Sequence, residues 1–457
     1  MLLNTRFLKL YKIPITLAVI SMLFYFSFAY DLQRTDSIKL MTLYGALFFL
    51  FYKIVQINKS NIKFLTLLAF SFRAVFILAI PNLSQDFYRF IWDGRLILEG
   101  INPYLFTPDF FILKGEFPIA HAQELYNGMG SLSASHFSNY PPLNQYCFVL
   151  ANLVPGQRIL SSVIGLRLLI IAADFGTLYF GKKLLEKLKL PLYNIFWYIL
   201  NPFIIIELTG NLHFEGVMIF FLVWSLYLLH INKWKLAAVV FAFSVSIKLI
   251  PLLFLPLVWQ WFLQSNRPAV SMKLGVIKLI FFYAIVGIIT LLLFLPFYST
   301  EFILNYSQTI GLWFQNFEFN ASIYYMVREI GYAITDYNQI AIIGKFSGIL
   351  VFIFVVGLSI FRRNYAMQEL ILTMLFALSF YYFTATTVHP WYLATLLILS
   401  VFTKYKFPLV WSLVIVFSYL AYSNHNNSEN LWLIGLEYIL VYSVFLYEIL
   451  KIKTVEN

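Results

Sequence analysis

Long apolar runs recur along the whole chain and are separated by short polar segments. Each run is roughly 18 to 22 residues long, which is the length an α-helix needs to cross the hydrocarbon core of a bilayer. The regular alternation of membrane β-strands is missing from the pattern. The predicted spans lie at about 13–30, 40–57, 64–81, 159–181, 192–208, 214–231, 236–248, 250–263, 275–298, 346–361, 367–386, 390–403, 407–422 and 431–450. The pattern therefore predicts an all-α polytopic membrane protein of about 14 transmembrane helices, within a range of about 11 to 14.

Composition supports a membrane protein and excludes a soluble globule. Of the 457 residues, 61% are hydrophobic and only 12% are charged, which is too little polar surface to cover a chain of this size. We therefore treat residues 1–457 as a single transmembrane domain. The formal net charge of +11 does not indicate a nucleic-acid partner, because the basic residues form short clusters between apolar runs.

These basic clusters also predict the orientation of the chain. If the N-terminus is cytoplasmic, the clusters fall in inside loops, as the positive-inside rule requires. They are Lys59 and Lys63; Lys182, Lys183, Lys187 and Lys189; Lys233 and Lys235; Arg267 and Lys273; Arg362 and Arg363; Lys404 and Lys406; and Lys451 and Lys453. Keeping Arg267, Lys273 and the later clusters inside requires two short elements, rather than one long span, around Lys248 and Pro251. Two long segments, 82–158 and 299–345, then fall outside, where we expect short interfacial helices and the functional site.

The first long segment opens with a dense mixture of acidic, basic and aromatic residues between Ser84 and Arg95. On a helix that begins near Ser84, Asp86, Arg89 and Asp93 lie three and four residues apart and share one face. This spacing fits either a capped helix with internal salt bridges or a catalytic surface. Spacing alone leaves both interpretations open.

The stretch from Asp86 to Tyr104 resembles the D-x-Y-R-[YF]-x-W-D-G-R…G-x-N-P-Y signature of the bacterial mannosyltransferase-like branch of the GT-C glycosyltransferases. Further similarity lies at Asn201-Pro202, from Gly210 to Glu215, from Lys248 to Pro251, and from His389 to Leu393. The resemblance implies a GT-C-like helical bundle in a bacterial inner (plasma) membrane, with its active site on the extracytoplasmic side. It also implies a polyprenyl-phosphate sugar donor and a single displacement that inverts the anomeric centre.

The same resemblance suggests roles for individual residues. It implies that Asp86 is the catalytic base, and Asp93 is the alternative if Asp86 only caps the helix. A base must take the proton of the attacking sugar hydroxyl, while cations stabilise the leaving phosphate. The candidates for phosphate binding are Arg89, Arg95, Lys248 and His389, and those for substrate binding are Asn211, His213, Glu215 and Tyr88. The family usually has Asp where this chain has Glu215, so the carboxylate is kept with a longer reach.

Simpler interpretations exist for several of these residues. Lys248 suits a lysine that extends to the membrane interface, and His213 suits a hydrogen-bonded interfacial histidine. Trp391 and Tyr392 fit an aromatic belt. The ionisable residues inside the predicted spans, which we expect to stabilise the bundle or line a cavity, are Arg73, Arg167, Asp174 and Glu207. Residues of the second long segment that can cover the site like a lid are Trp313, Phe319, Asn320, Tyr324 and Arg328.

The sequence predicts no cofactor, because it has neither Cys/His zinc spacing nor a Gly-rich nucleotide loop. No metal is predicted, although a divalent ion between Asp86 or Asp93 and phosphate is left open. The function hypothesis is transfer of a hexose, with mannose implied, from a polyprenyl phosphate to an extracytoplasmic glycan or glycolipid. A transporter or flippase of lipid-linked sugars is the alternative, but the polar residues cluster outside the spans rather than near the midplane. A noncatalytic scaffold subunit is the third hypothesis.

Overall fold

The computed structural model describes residues 5–154, 156, 158–264, 272–315, 317–424 and 426–456. Within these ranges the chain is helical, apart from one isolated parallel β-bridge between Phe319 and Thr387. The α-helices are α1 Thr5–Asp31, α2 Ser37–Ile57, α3 Ile62–Val75, α4 Asp86–Leu98, α5 Pro108–Ile112, α6 Ala122–Ala134, α7 Pro142–Asn152, α8 Ile159–Lys187, α9 Phe196–Ile199, α10 Pro202–Ile204, α11 Glu215–His230, α12 Trp234–Ile247, α13 Trp259–Gln264, α14 Met272–Phe294, α15 Thr300–Gln315, α16 Ile323–Thr335, α17 Ile340–Phe361, α18 Met367–Thr384, α19 Leu393–Val401, α20 Phe407–Val414 and α21 Leu431–Glu456.

Seven helices of the described chain are long and apolar enough to cross a membrane. They are Tyr11–Asp31 within α1, then α2, α8, Met272–Phe297, which extends α14, α17, α18, and Leu431–Lys451 within α21. A helix pair bent by 50°, Leu192–Ile199 and Pro202–Gly210, makes an eighth candidate. Five shorter apolar helices occupy most of the other predicted spans. The prediction of a polytopic helical membrane protein is thus supported, while the count of about 14 stays a prediction.

Two local predictions from the sequence can be compared with the described helices. The predicted span 64–81 is helical only as far as Val75, where α3 ends. The predicted break near Lys248 is confirmed, because α12 ends at Ile247 and a 3₁₀ segment follows over Ile250–Val258. The predicted inside cluster at Arg267 lies outside the described residues.

The surface of the long helices is apolar, as a lipid-facing surface must be. Leu291 on α14 is 71% exposed, Phe361 on α17 is 86% exposed, and Trp432 on α21 is 89% exposed. Large apolar side chains exposed to this degree on consecutive turns are costly in water and favourable in hydrocarbon. One continuous apolar core joins the inner faces of the helices.

Charged groups inside the bundle are paired or hydrogen-bonded. Arg73 on α3 donates from Nε to Asp174 Oδ2 on α8 at 2.7 Å, and both side chains are fully buried. Arg167 donates to the carbonyls of Thr209, Gly210 and Ile77, where the chain leaves regular α-helical geometry. Because the bilayer offers no water to such groups, these contacts let α8 hold two irregular segments in place. The prediction that these residues stabilise the bundle is supported.

Removing one member of the buried pair tests this arrangement. Asp174→Ala leaves the Arg73 guanidinium buried without its carboxylate, so we expect the free energy of unfolding to fall by about 3–5 kcal/mol. Thermal unfolding in detergent measures the change. The double variant Arg73→Met, Asp174→Leu should recover much of the loss, because neither charge is then buried. An unchanged melting temperature for Asp174→Ala would contradict the structural role.

The segment 82–158 forms four helices, α4 to α7, that pack on each other and on α8. Helix α4 contacts α7 closely at Gly94, where an added Cβ would lie 2.6 Å from the Phe148 carbonyl oxygen. Arg95 ties α4 to its neighbours by donating to the Ala120 carbonyl and to the side chains of Asn152 and Ser162. The C-terminal half of α4 is therefore held against α7 and α8.

Candidate functional site

Asp86 is the first residue of α4, and its carboxylate lies in the site without a hydrogen bond from any described residue. Ser84 Oγ accepts the Asp86 backbone N–H at 3.3 Å, and the preceding residue, Leu83, donates its backbone N–H to Asn211 Oδ1 at 3.1 Å. In the part of the chain that the structure describes, nothing hydrogen-bonds to the carboxylate oxygens of the partly buried Asp86. The backbone is thus fixed while the carboxylate keeps its capacity to accept a proton.

Charged residues from three other parts of the chain surround this carboxylate. Burial raises the pKa of Asp86 to about 6; the positive charges of Lys248 and Arg34 oppose this rise, and the negative charge of Glu215 adds to it. A carboxylate whose pKa lies near neutral pH suits a general base, because its affinity for a proton is higher than that of an ordinary Asp while it is still ionised at pH 7.

Glu215 and Lys248 form a salt bridge beside Asp86. Glu215 begins α11, and Lys248 follows the last residue of α12, so the helix break after Ile247 places its ammonium next to the start of the neighbouring helix. The Glu215 side chain is 3% exposed and that of Lys248 is 21% exposed. Glu215 therefore fixes the lysine, and the ammonium still contacts solvent.

Five ring side chains form a continuous stack, which we call the ring stack, along one side of the site. Its members, in order, are His213, Trp391, His389, Phe319 and Tyr422. The centroid distances between successive rings are 3.7, 4.6, 5.2 and 6.0 Å. Both His213 and His389 stack on Trp391, so two imidazoles already occupy ring surface that a sugar would need.

The far end of the ring stack carries Arg34, a residue that sequence reasoning missed. Its guanidinium carbon lies 3.2 Å from the centroid of the Tyr422 ring. Arg34 lies in the short linker between α1 and α2, which the charge pattern places outside. A basic residue in a predicted outer turn departs from the positive-inside rule, and that departure was the signal in the sequence.

Other residues of the signature support α4 rather than face Asp86. Arg89 donates to Asp93 Oδ1 at 2.7 Å and to the carbonyls of Ser133 and His136. The second oxygen of the buried Asp93 accepts hydrogen bonds from Ser138 and Gln145. The Arg89–Asp93 pair is the kind of internal salt bridge that the helical spacing allowed. These contacts favour a scaffold role for the pair.

The structure divides the predicted site residues into two groups. Asp86, His213, Glu215, Lys248 and His389 come together at the site described above. Asn211 supports the backbone before α4.

The second group lies elsewhere on α4. Arg89 and Asp93 are held by contacts inside the segment 82–158, and Arg95 by contacts to that segment and to Ser162 on α8. The Tyr88 ring packs on Gly128 of α6. Burial and the negative charge of Glu124, rather than the charges around Asp86, raise the pKa of Tyr88.

Part of the predicted lid is fixed against the site. The Phe319 backbone accepts a hydrogen bond from Val388 N and donates one to the Thr386 carbonyl, which places its ring on His389. Asn320 is held by Glu429 and Glu437. The side chain of Trp313 lies outside the described residues. Among the described residues, no group of three His, Cys, Asp or Glu side chains is arranged to hold a metal ion.

Comparison with known proteins gives one match. A family model described as "Alpha-(1->6)-mannopyranosyltransferase, N-terminal domain" matches residues 35–264, about half of the chain. The matched region contains Asp86, His213, Glu215 and Lys248. No curated protein and no solved structure matches the chain, so the GT-C-like arrangement stays a prediction.

Proposed function

Because the chain belongs to the alpha-(1->6)-mannopyranosyltransferase family and is therefore a glycosyltransferase, we propose that it transfers mannose from a polyprenyl phosphate to a sugar 6-hydroxyl of a glycan or glycolipid. The observation that supports this reaction most directly is the Asp86 carboxylate, which accepts no hydrogen bond from the described residues and is influenced by the charges of Lys248, Arg34 and Glu215. A transferase of this kind needs a base and a cation within one small site.

The proposed reaction is a single displacement at the anomeric carbon. The acceptor oxygen forms a bond to C1 of mannose as the bond from C1 to the phosphate oxygen breaks. The electron pair of that bond goes to the phosphate, and the acceptor proton goes to a carboxylate oxygen of Asp86. One displacement inverts C1, so the α-linkage in the family's name requires a donor with a β-linked phosphate.

Asp86 fits the role of base better than Asp93 does. Both Asp93 oxygens already accept hydrogen bonds, and the residue is fully buried beside Arg89. Protonation of Asp93 would break the buried pair and leave the Arg89 charge uncompensated, which is costly. Asp86 can change its protonation state without loss of a hydrogen bond.

Lys248 is the proposed contact for the departing phosphate. Its ammonium is held by Glu215 and lies 5.9 Å from the centroid of the Tyr392 ring, so its position is restricted before the substrate binds. His389 keeps a buried Nδ1 without a partner and supports a second polar contact to the substrate. Fixed donors of this kind stabilise developing negative charge because they need no reorganisation.

The proposed location is the extracytoplasmic face of a bacterial plasma membrane. The basic clusters between the spans support this orientation. A donor with a polyprenyl tail can stay in the bilayer while its sugar reaches Asp86. Besides the donor and acceptor substrates, the proposed partners are therefore the lipids of the membrane.

Reconstitution tests the function. Purified protein in liposomes is given labelled mannosyl-phosphoryl-polyprenol and a synthetic alkyl mannoside, and we expect a labelled α(1→6) disaccharide product. Label that crosses the bilayer without transfer would instead support a flippase. If no product forms with any mannoside acceptor or any polyprenyl-phosphate donor, the proposed donor and acceptor classes are rejected.

The pH dependence of transfer reports on Asp86. The base acts in its ionised form, so kcat/KM should fall about tenfold per pH unit as the pH drops below the raised pKa of about 6. An ordinary Asp, with a pKa of about 3.9, would keep nearly full activity to about pH 5. A rate profile that stays flat from pH 7 to pH 4.5 would exclude Asp86 with this pKa as the base.

A further inference from the structure

The linker between α1 and α2 forms part of the wall around Asp86. The linker comprises residues 32–36, and Asn82 Nδ2 holds its start by donating to the carbonyls of Phe28 at 2.7 Å and Leu32 at 3.1 Å. Asn82 lies four residues before Asp86. The hydrogen bonds therefore tie the position of the linker to the start of α4.

Arg34 in this linker differs from the arginines buried inside the bundle. Arg73 pairs with Asp174, Arg89 pairs with Asp93, and Arg167 donates to three carbonyls. Across the described ranges, Arg34 forms no ion pair with a carboxylate, and this sets it apart from Arg73 and Arg89. Its Nε is buried without a hydrogen-bond partner, as is one Nη2 nitrogen of each of Arg73 and Arg89. Its guanidinium therefore keeps donors that can bind an oxyanion.

Tyr422 sets the position of that guanidinium. The separation of 3.2 Å from the ring centroid is typical of a close cation–π contact. Tyr422 itself packs on Phe319 in the ring stack, and Phe319 is fixed by its bridge to Thr387. A guanidinium held over a fixed ring presents its N–H groups outward in a plane, which suits two oxygens of one phosphate.

The charges of the site show why a second cation is needed. Glu215 neutralises Lys248, so this pair carries no net charge. Arg34 balances Asp86, and the positive charge of Arg34 acts on the Asp86 carboxylate. Among these four residues, loss of Arg34 would leave a net negative charge before an anionic phosphate approached.

We propose that Arg34, oriented by Tyr422, binds the phosphate group of the lipid-linked donor as a second cation beside Lys248. This inference rests on the proposed function, because that function supplies the lipid phosphate. The required chemistry is a phosphate ester, and the source that we assign is the donor lipid rather than free phosphate.

The test measures lipid-phosphate binding without sugar transfer. Full-length protein in nanodiscs is titrated with labelled polyprenyl phosphate, with uncharged polyprenol as the reference. We expect Arg34→Gln to raise the Kd by roughly 10- to 100-fold, because a charge-assisted bidentate contact is lost. Arg34→Lys should recover part of the affinity. The matched control Lys39→Gln removes a cation near the same linker, where Lys39 pairs with Asp31, and should leave the Kd unchanged.

Several outcomes would overturn the inference. If wild-type protein binds polyprenyl phosphate but Arg34→Gln binds it within twofold of wild type, the assignment of Arg34 fails while the proposed function stands. If wild-type protein binds no polyprenyl phosphate, the proposed donor fails as well. Displacement of the lipid by inorganic phosphate at the same concentration would exclude the lipid as the source. Should Arg34→Gln melt early, Tyr422→Leu keeps the arginine but removes the ring below it, and an unchanged Kd in that variant would also refute the proposal.

Discussion

Replacement of Asp86 by Asn is expected to lower kcat for mannosyl transfer by roughly 10²- to 10⁴-fold, because the amide cannot take the acceptor proton. The carboxylate forms no hydrogen bond within the described residues, so Asn should fit without a rearrangement of α4. Donor binding should stay near the wild-type value or become slightly tighter, since one negative charge near the phosphate is removed. Transfer rates in liposomes and lipid-phosphate binding in nanodiscs measure the two quantities separately.

Two other carboxylates in the same segment provide controls for this variant. Glu116 is exposed on the loop after α5, so Glu116→Gln should transfer mannose at the wild-type rate. Asp93→Asn should lower the melting temperature, because Arg89 would lose its buried partner. If Asp86→Asn turned over like wild type while Asp93→Asn was folded but inactive, the assignment of the base would have to be reversed.

Replacement of Lys248 by Met is expected to reduce kcat/KM by about 10²- to 10³-fold, the cost of removing one fixed donor from developing negative charge. The substitution also removes a cation that lowers the pKa of Asp86, so the acid limb of the pH profile should shift to higher pH. A merely structural lysine would not produce this shift. Steady-state kinetics over a pH series measure both effects.

Glu215, the salt-bridge partner of Lys248, makes the effect of Lys248→Met harder to interpret, but a variant at Glu215 provides the control. Lys248→Met leaves the Glu215 carboxylate nearly buried without an ion pair, so part of the loss can reflect destabilisation. The double variant Lys248→Met, Glu215→Met restores an uncharged pair at this position. Activity that returned in the double variant would contradict a role for the ammonium in catalysis. Lys114→Met, which removes an exposed lysine of the first long segment, should be silent.

The signature in α4 combines two kinds of residue that the sequence alone does not separate. Arg89, Asp93, Gly94 and Arg95 hold the helix against α6, α7 and α8 through buried contacts. Asp86, at the first turn, is left with a free carboxylate. Helical spacing placed Asp86, Arg89 and Asp93 on one face. It could not show that Arg89 would be held by Asp93 together with two carbonyls, one from α6 and one from the residues after it.

The remaining site residues come from distant parts of the chain, and their roles depend on charge balance. Sequence resemblance identified Lys248, Glu215, His213 and His389 as candidates. It gave no reason to connect the linker before α2 with the 3₁₀ segment Ile415–Ser423, which carries Tyr422. The contact between Arg34 and Tyr422 joins residues almost 400 positions apart in sequence, and no local pattern encodes such a distance.

By itself, the sequence determined that this protein is helical and lies in a membrane, because long apolar runs have no other stable arrangement in a bilayer. It also pointed to Asp86 through a motif whose spacing is local. Only the tertiary structure decided which charged side chains are paired inside the helical bundle and which stay free to react. The physical reason is that a buried charge must find a partner. Arg89 finds Asp93 one turn along its own helix, whereas the partners of Arg73 and Arg34 are set by how the helices pack rather than by neighbours in sequence.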